Sequence, residues 1–163
     1  MKRIFKIVLI VLVILFVIIQ FFRPTKNRST DLSANDITTG LIVPPNVQKI
    51  LKHSCYDCHS NNTRYPWYFN IQPVAWWLDH HINEAKRELN FSEFGNYKIN
   101  RQYKKLEEII EEVETEEMPL YSYTLIHRSA NLNGEQKTSI INWSKSVIQQ
   151  LKVTYPPDSF VKK

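Results

Sequence analysis

The sequence predicts an all-α domain of about four helices behind an apolar amino-terminal helix, and three observations carry that prediction. Only 3 of the 163 residues are glycine, so the chain is poor in the residue that most weakens helices, proline apart. Apolar residues recur at intervals of three and four through four separate segments, the period of a helix buried on one face. No stretch alternates apolar and polar residues for long enough to demand a sheet. The length suits one modest domain with additions at its ends.

The first element is the stretch MKRIFKIVLIVLVILFVIIQFFRP, a basic leader followed by an apolar run from about Ile7 to Phe22. Counting Ile4 and Phe5, the run approaches the roughly 30 Å hydrocarbon thickness of a bilayer at about 1.5 Å per residue. No small-residue cleavage site follows it, and no cysteine that a lipid would modify, so the expectation for residues 1–22 is an uncleaved signal anchor. Residues 23–43 are polar and non-periodic and read as a tether. The folded domain is expected over 44–152, with a carboxy-terminal tail over 153–163.

Within the domain, Pro44 and Pro45 open a first helix, where a missing N–H costs nothing. Val47, Leu51 and Cys55 follow at intervals of four with Ile50 beside them, so one face leads into the first cysteine. A second helix begins near Pro73, with Val74, Trp77, Leu78, Ile82, Ala85 and Leu89 as its apolar stripe. His81 falls inside that stripe and His80 off it. A third runs from about Gln102 to Glu117, with Tyr103, Leu106, Ile109, Ile110 and Val113 on one side, until Pro119 forbids continuation. For the fourth, Asn133 is the N-cap with Gln136 three residues on, and Ile140, Trp143, Val147 and Leu151 form the buried face.

Charge excludes one class of partner. The formal net charge is +5, but with Lys2, Arg3 and Lys6 of the leader set aside, 18 of the 21 basic residues face 16 acids. A nearly neutral body gives nucleic-acid binding no footing. The glutamates between Glu107 and Glu117 read as a solvated helix face, with a docking surface for a basic partner as the second reading.

The chemistry sits in HSCYDCHSNN, which holds both cysteines, Cys55 and Cys58, with His59 directly after the second. The spacing C-x-x-C-H is the attachment signal for c-type haem: the two thiols form thioethers to the porphyrin vinyl groups and the histidine ligates the iron. Cys55 and Cys58 are therefore expected to hold one haem c covalently, with His59 as proximal ligand. A dithiol redox pair would call for a βαβ setting, and no parallel strands are visible. A structural zinc site would want a second pair of ligands at similar spacing, and only scattered histidines remain.

The sixth iron position falls to Met118, the one methionine besides Met1. It precedes Pro119, and a residue before proline is pushed toward an extended conformation, so Met118 is placed on a loop free to present its thioether. His81 is the second candidate, with His53, His80 and His127 behind it. The aromatic tract NNTRYPWYFNIQPVAWW supplies Tyr65, Trp67, Tyr68, Phe69, Trp76 and Trp77 as candidate pocket walls, and Arg64 as a candidate partner for a haem propionate.

The string CYDCHSNNTRYPWYFNIQPVAWWLDHHINEAKRELNFSEF, with EEMPLYSYTLIH and LNGEQKTSIINW after it, resembles the small bacterial haem-binding domain family, whose members typically carry a membrane leader and a single C-x-x-C-H. The resemblance covers about Pro44 to Leu151. It implies Cys55 and Cys58 as covalent sites, His59 as iron ligand and Met118 as distal ligand, and it places histidines at His81 and His127. A more distant likeness is to class I cytochromes c, in which a helix enters the haem motif and a carboxy-terminal helix crosses it.

The functional expectation is a membrane-anchored monohaem cytochrome c-like electron carrier rather than an enzyme. It is placed at the bacterial inner membrane as a single-pass protein, with its domain in the periplasm and envelope redox proteins as partners. The alternative from another class is a haem enzyme or sensor with an open sixth site, where His81, with Glu84 nearby, assists peroxide or gas chemistry.

Overall fold

The computed structural model describes residues 1–29 and 33–161. It is helical throughout, with no strand among the described residues. The helices are α1 (Lys2–Ile19), α2 (Ile37–Gly40), α3 (Pro45–Ser54), α4 (Tyr56–His59), α5 (Val74–Glu88), α6 (Ile99–Glu114), α7 (Tyr121–Ile126) and α8 (Gly134–Thr154), joined in places by short 3-10 turns. The four helices expected from the sequence are α3, α5, α6 and α8. α1 falls in the apolar amino-terminal run; α2, α4 and α7 are single turns or short segments, too brief for a 3.6-residue period to show.

The main packing runs along α6 and α8, with α3 laid against α8. Leu106 at 0% exposure, Ile140 at 1% and Val47 at 2% mark the centre, joined by Leu51, Ile109, Val113, Trp143, Val147 and Leu151. α8 starts with the expected reciprocal cap: the Asn133 side chain accepts from the Gln136 N–H while the Gln136 side chain accepts from the Asn133 N–H. α6 stops at Glu114, earlier than expected, because Glu116 takes a left-handed φ of 64° that ends the helical path. Met118 is thereby set beyond the helix, its N–H donating to the Glu112 carbonyl at 3.1 Å.

A second, smaller core forms from Phe69, Ala75, Leu78 and Ile82, with Tyr65 and Tyr68 packed on it. On α5 the buried face is therefore Ala75, Leu78 and Ile82. Val74 and Trp77, read from the sequence as part of the stripe, are exposed instead. They lie about 100° around the helix from the buried line, so a stripe read generously takes in its flanks.

Part of the segment read as a tether is packed. Ile37 is 1% exposed in the main core, and Gly95 donates its N–H to the Asn35 carbonyl at 2.8 Å. A Cβ at Gly95 would come within 3.2 Å of that oxygen, so this approach is closest without a side chain. Asn27 is held by the Ser60 carbonyl (2.8 Å), Thr63 Oγ1 (2.9 Å) and Tyr65 Oη (2.6 Å). The chain before Pro44 is thus fastened to the haem-motif loop by side-chain hydrogen bonds, which leave no hydrophobic period in the sequence.

The expected membrane anchor is corrected by the structure. α1 spans 18 residues, of which Lys2, Arg3 and Lys6 are cationic, and no helix among the described residues is long and apolar enough to cross a membrane. The apolar run does not continue as helix to Phe22. The Gln20 side chain turns to Gln72, and the Phe22 carbonyl accepts from Gln72 Nε2 and Trp76 Nε1, both at 2.8 Å. A single-pass inner-membrane placement with a periplasmic domain therefore has no spanning element to rest on.

Leu106→Ala should destabilise the chain by about 2–5 kcal/mol, the cost of a core cavity, whereas Ile42→Ala, at 84% exposure, should fall within about 0.5 kcal/mol of the parent. Urea unfolding of both checks this, and equal midpoints would contradict the assignment of the core.

Candidate haem site

Helix α3 delivers the first thiol. Cys55 closes it, donating its N–H to the Leu51 carbonyl at 2.9 Å, and the chain then makes the single turn α4, with the His59 N–H on the Cys55 carbonyl at 2.9 Å. This turn brings His59 beneath the end of α5, where its Nδ1 lies 3.0 Å from the Leu89 carbonyl. A carbonyl only accepts, so Nδ1 carries the proton and Nε2 keeps the lone pair a metal requires. Burial holds the imidazole below its usual pKa against the opposing pull of the Leu89 and Ala85 carbonyls, which favours the neutral, ligating form.

Cys55, His59 and Met118 line one cavity of about 190 Å³. Its walls are apolar, with Leu51, Leu89, Phe91, Ile109 and Leu132 among them, and Phe91 stands edge-on to the His59 ring at 6.2 Å. Lys105 sits at the polar side of the cavity, 10% exposed and paired with Glu88 and Glu108. An imidazole and a thioether on one apolar space are donors that a haem iron takes. The space is smaller than the roughly 300–1,000 Å³ of preformed ligand sites, so a wall must give way for a macrocycle. The wall with least buried contact is the segment that follows Met118, where α7 buries no residue.

Cys58 is not among the residues that line this cavity. Both cysteines are free thiols. Burial pushes Cys55 up to about 12 and Cys58 up to about 11, the Asp57 charge adding to the second. Thiols held protonated in this way are poor redox nucleophiles. Among the described residues no cluster of three or more His, Cys, Asp or Glu forms a metal-holding group.

The other candidates lie elsewhere. The His81 ring lies tilted against Trp77 at 4.4 Å, with its Nδ1 on the Trp77 carbonyl at 2.9 Å, outside the cavity. His80 pairs with Glu84, His53 lies on an exposed turn of α3, and His127 bonds Tyr68 at 2.7 Å. Arg64 is turned to Asp57 at 3.1 Å rather than to the cavity. Of the aromatic tract none lines the cavity: Phe69 fills the small core, and Trp67 is 76% exposed. Phe91 and Lys105 were not among the site residues expected from the sequence. Phe91 follows α5 in a short turn with no period to reveal it, and Lys105 is hidden among the charges of α6.

A family model described as a haem-binding domain matches residues 14–146. The chain belongs to the haem-binding domain family. The match takes in the C-x-x-C-H turn, the Met118 loop and most of α8, so the family's haem-binding character covers the whole arrangement, and the resemblance read from the sequence is confirmed. No curated protein and no solved structure matches the chain.

The raised thiol values predict slow alkylation. A rise of about two units leaves roughly 100-fold less thiolate at pH 8, offset by the roughly tenfold greater nucleophilicity of a more basic thiolate. Iodoacetamide should therefore label Cys58 about tenfold more slowly in the folded haem-free chain than in urea, read by mass spectrometry. Equal rates would contradict a buried pair.

Proposed function

We propose that this protein is a monohaem c-type cytochrome-like electron carrier, with haem held covalently by Cys55 and Cys58 and its iron ligated by His59 and Met118. The observation that carries the reading is the common cavity of His59, with Nδ1 fixed on Leu89, and Met118. Haem supplies reversible one-electron chemistry when bound.

The chain's own residues do the rest. The Leu89 carbonyl fixes the tautomer and ring orientation of His59, and polarising the N–H makes Nε2 a better donor. Cys55 and Cys58, three apart with that histidine directly after, would hold the haem covalently beside its ligand. Apolar walls built from Leu51, Phe91, Ile109 and Leu132 keep water away and so raise the reduction potential. Met118, placed past the left-handed break at Glu116, would supply the second iron ligand from a loop rather than from a helical face. No acid or base needs to act on a substrate, which suits a carrier that exchanges electrons with other redox proteins.

An enzyme or sensor working through His81 and Glu84 lacks the geometry: His81 bonds its own helix at Trp77, and Glu84 pairs with His80 and Arg87.

Matured in cells that attach c-type haem, the protein should give a low-spin spectrum with the sulfur-to-iron charge-transfer band of methionine ligation. Met118→Ala should abolish that band and yield a high-spin ferric form. An unchanged spectrum in the variant would overturn Met118 as ligand and favour an open-site reading.

A further inference from the structure

The segment from Met118 to His127 has almost no hydrophobic hold on the protein. α7 buries no residue, and Tyr121, Leu125 and Ile126 are all more than half exposed. Two side-chain contacts fasten it instead. Tyr123 Oη donates to Asp57 Oδ2 at 2.8 Å, and His127 Nε2 meets Tyr68 Oη at 2.7 Å. The Tyr123 and His127 rings stack at 4.5 Å and 18°, so the two fastenings act as one unit.

Their partners are rigid. Asp57 lies between the two cysteines and is 9% exposed. Its Oδ1 accepts from the Arg64 Nε at 3.1 Å and the Arg64 N–H at 3.3 Å, and its carbonyl accepts from Thr63 Oγ1 at 2.7 Å. Tyr68 packs against the small core of Phe69, Leu78 and Ile82. One end of the segment is thus tied to the haem-attachment turn itself, four residues after the proline that follows Met118.

We propose that Tyr123 and Tyr68 are positioning residues that clasp the 118–127 segment to the C-x-x-C-H turn and so hold the Met118 thioether at the iron site. The proposal rests on the reading of Met118 as sixth ligand. Neither tyrosine touches the iron or lines the cavity. They act by limiting how far the loop swings away, and the Asp57 link makes the distal ligand's position depend on the residue between the cysteines.

Imidazole competition tests the clasp on the matured holoprotein, because exogenous imidazole binds ferric iron only where Met118 has left it. Tyr123→Phe removes one hydroxyl that bonds a carboxylate, and a loss of that kind should tighten imidazole binding at least about tenfold. Tyr68→Phe removes the other arm and should tighten it in the same direction. Tyr103→Phe serves as control: it loses a comparable bond to Glu107, on α6 and away from the segment, and should leave imidazole affinity within about twofold of the parent. Affinities for Tyr123→Phe and Tyr68→Phe both within twofold of the parent would overturn the clasp while Met118→Ala still opens the iron. Equal tightening in Tyr103→Phe would overturn it too, by showing a general loss of stability. A spectrum unchanged by Met118→Ala would remove the sixth-ligand reading and the clasp with it.

Discussion

The hydrogen bond from His59 Nδ1 to the Leu89 carbonyl is the constraint on which the rest of the site depends. It joins the single-turn helix carrying the cysteines to the carboxy-terminal end of α5, the free carbonyl of a residue just past a helix. Without it the ring is free to take either tautomer and to rotate about its Cβ–Cγ bond. With it, Nδ1 is the donor, and the ring lines a cavity whose other walls come from α3, α6, the Phe91 turn, the loop after α6 and the start of α8. The long helices thus supply much of the wall, and the short turns and loops between them present the donors.

That arrangement explains the division between the two cores. The main core of α3, α6 and α8 fixes Cys55 and the loop that bears Met118. The smaller core fixes the buried face of α5, while Leu89, just past that helix, packs on the main core and holds the imidazole. The cavity lies against the main core, and burial, which pushes Cys55 up to about 12 and Cys58 up to about 11, keeps both thiols from oxidising as an activated pair would. Lys105, paired with Glu88 and Glu108, lines the same cavity, and its charge further disfavours protonation of His59.

Much of this was legible in the sequence, for reasons that can be named. The buried faces of α6 and α8 follow a strict helical period, and Asn133 with Gln136 announces the start of α8. The haem motif is local, so Cys55, Cys58 and His59 need no tertiary knowledge. Pro119 marks Met118 as lying off the helix, and α6 does end before it, at Glu114. The misses share a cause: they depend on which side of a helix or turn meets a neighbour that is distant in sequence. His81 sits one step around α5 from the buried line of Leu78 and Ile82, and Arg64 is captured by Asp57 seven residues earlier. Asn27, a polar hub, and Ile37, a buried apolar residue, hold parts of the segment read as a tether and carry no pattern. The amino-terminal stretch misled through its composition, since hydropathy does not show that the helix stops at Ile19 and that Gln20 and Phe22 bond back to Gln72 and Trp76.

The central claim is that one haem is bound through both thiols of the turn that presents His59. Intact mass spectrometry in acid, on protein matured in cells that attach c-type haem, tests it most directly, because unfolding releases any haem held by ligation alone. The account predicts a single species that keeps one haem after unfolding, with Cys55→Ser and Cys58→Ser each retaining at most a single thioether and the double variant retaining none. Full release of haem from the parent protein under acid would contradict it and leave Cys55 and Cys58 as free thiols beside a haem held by ligation alone.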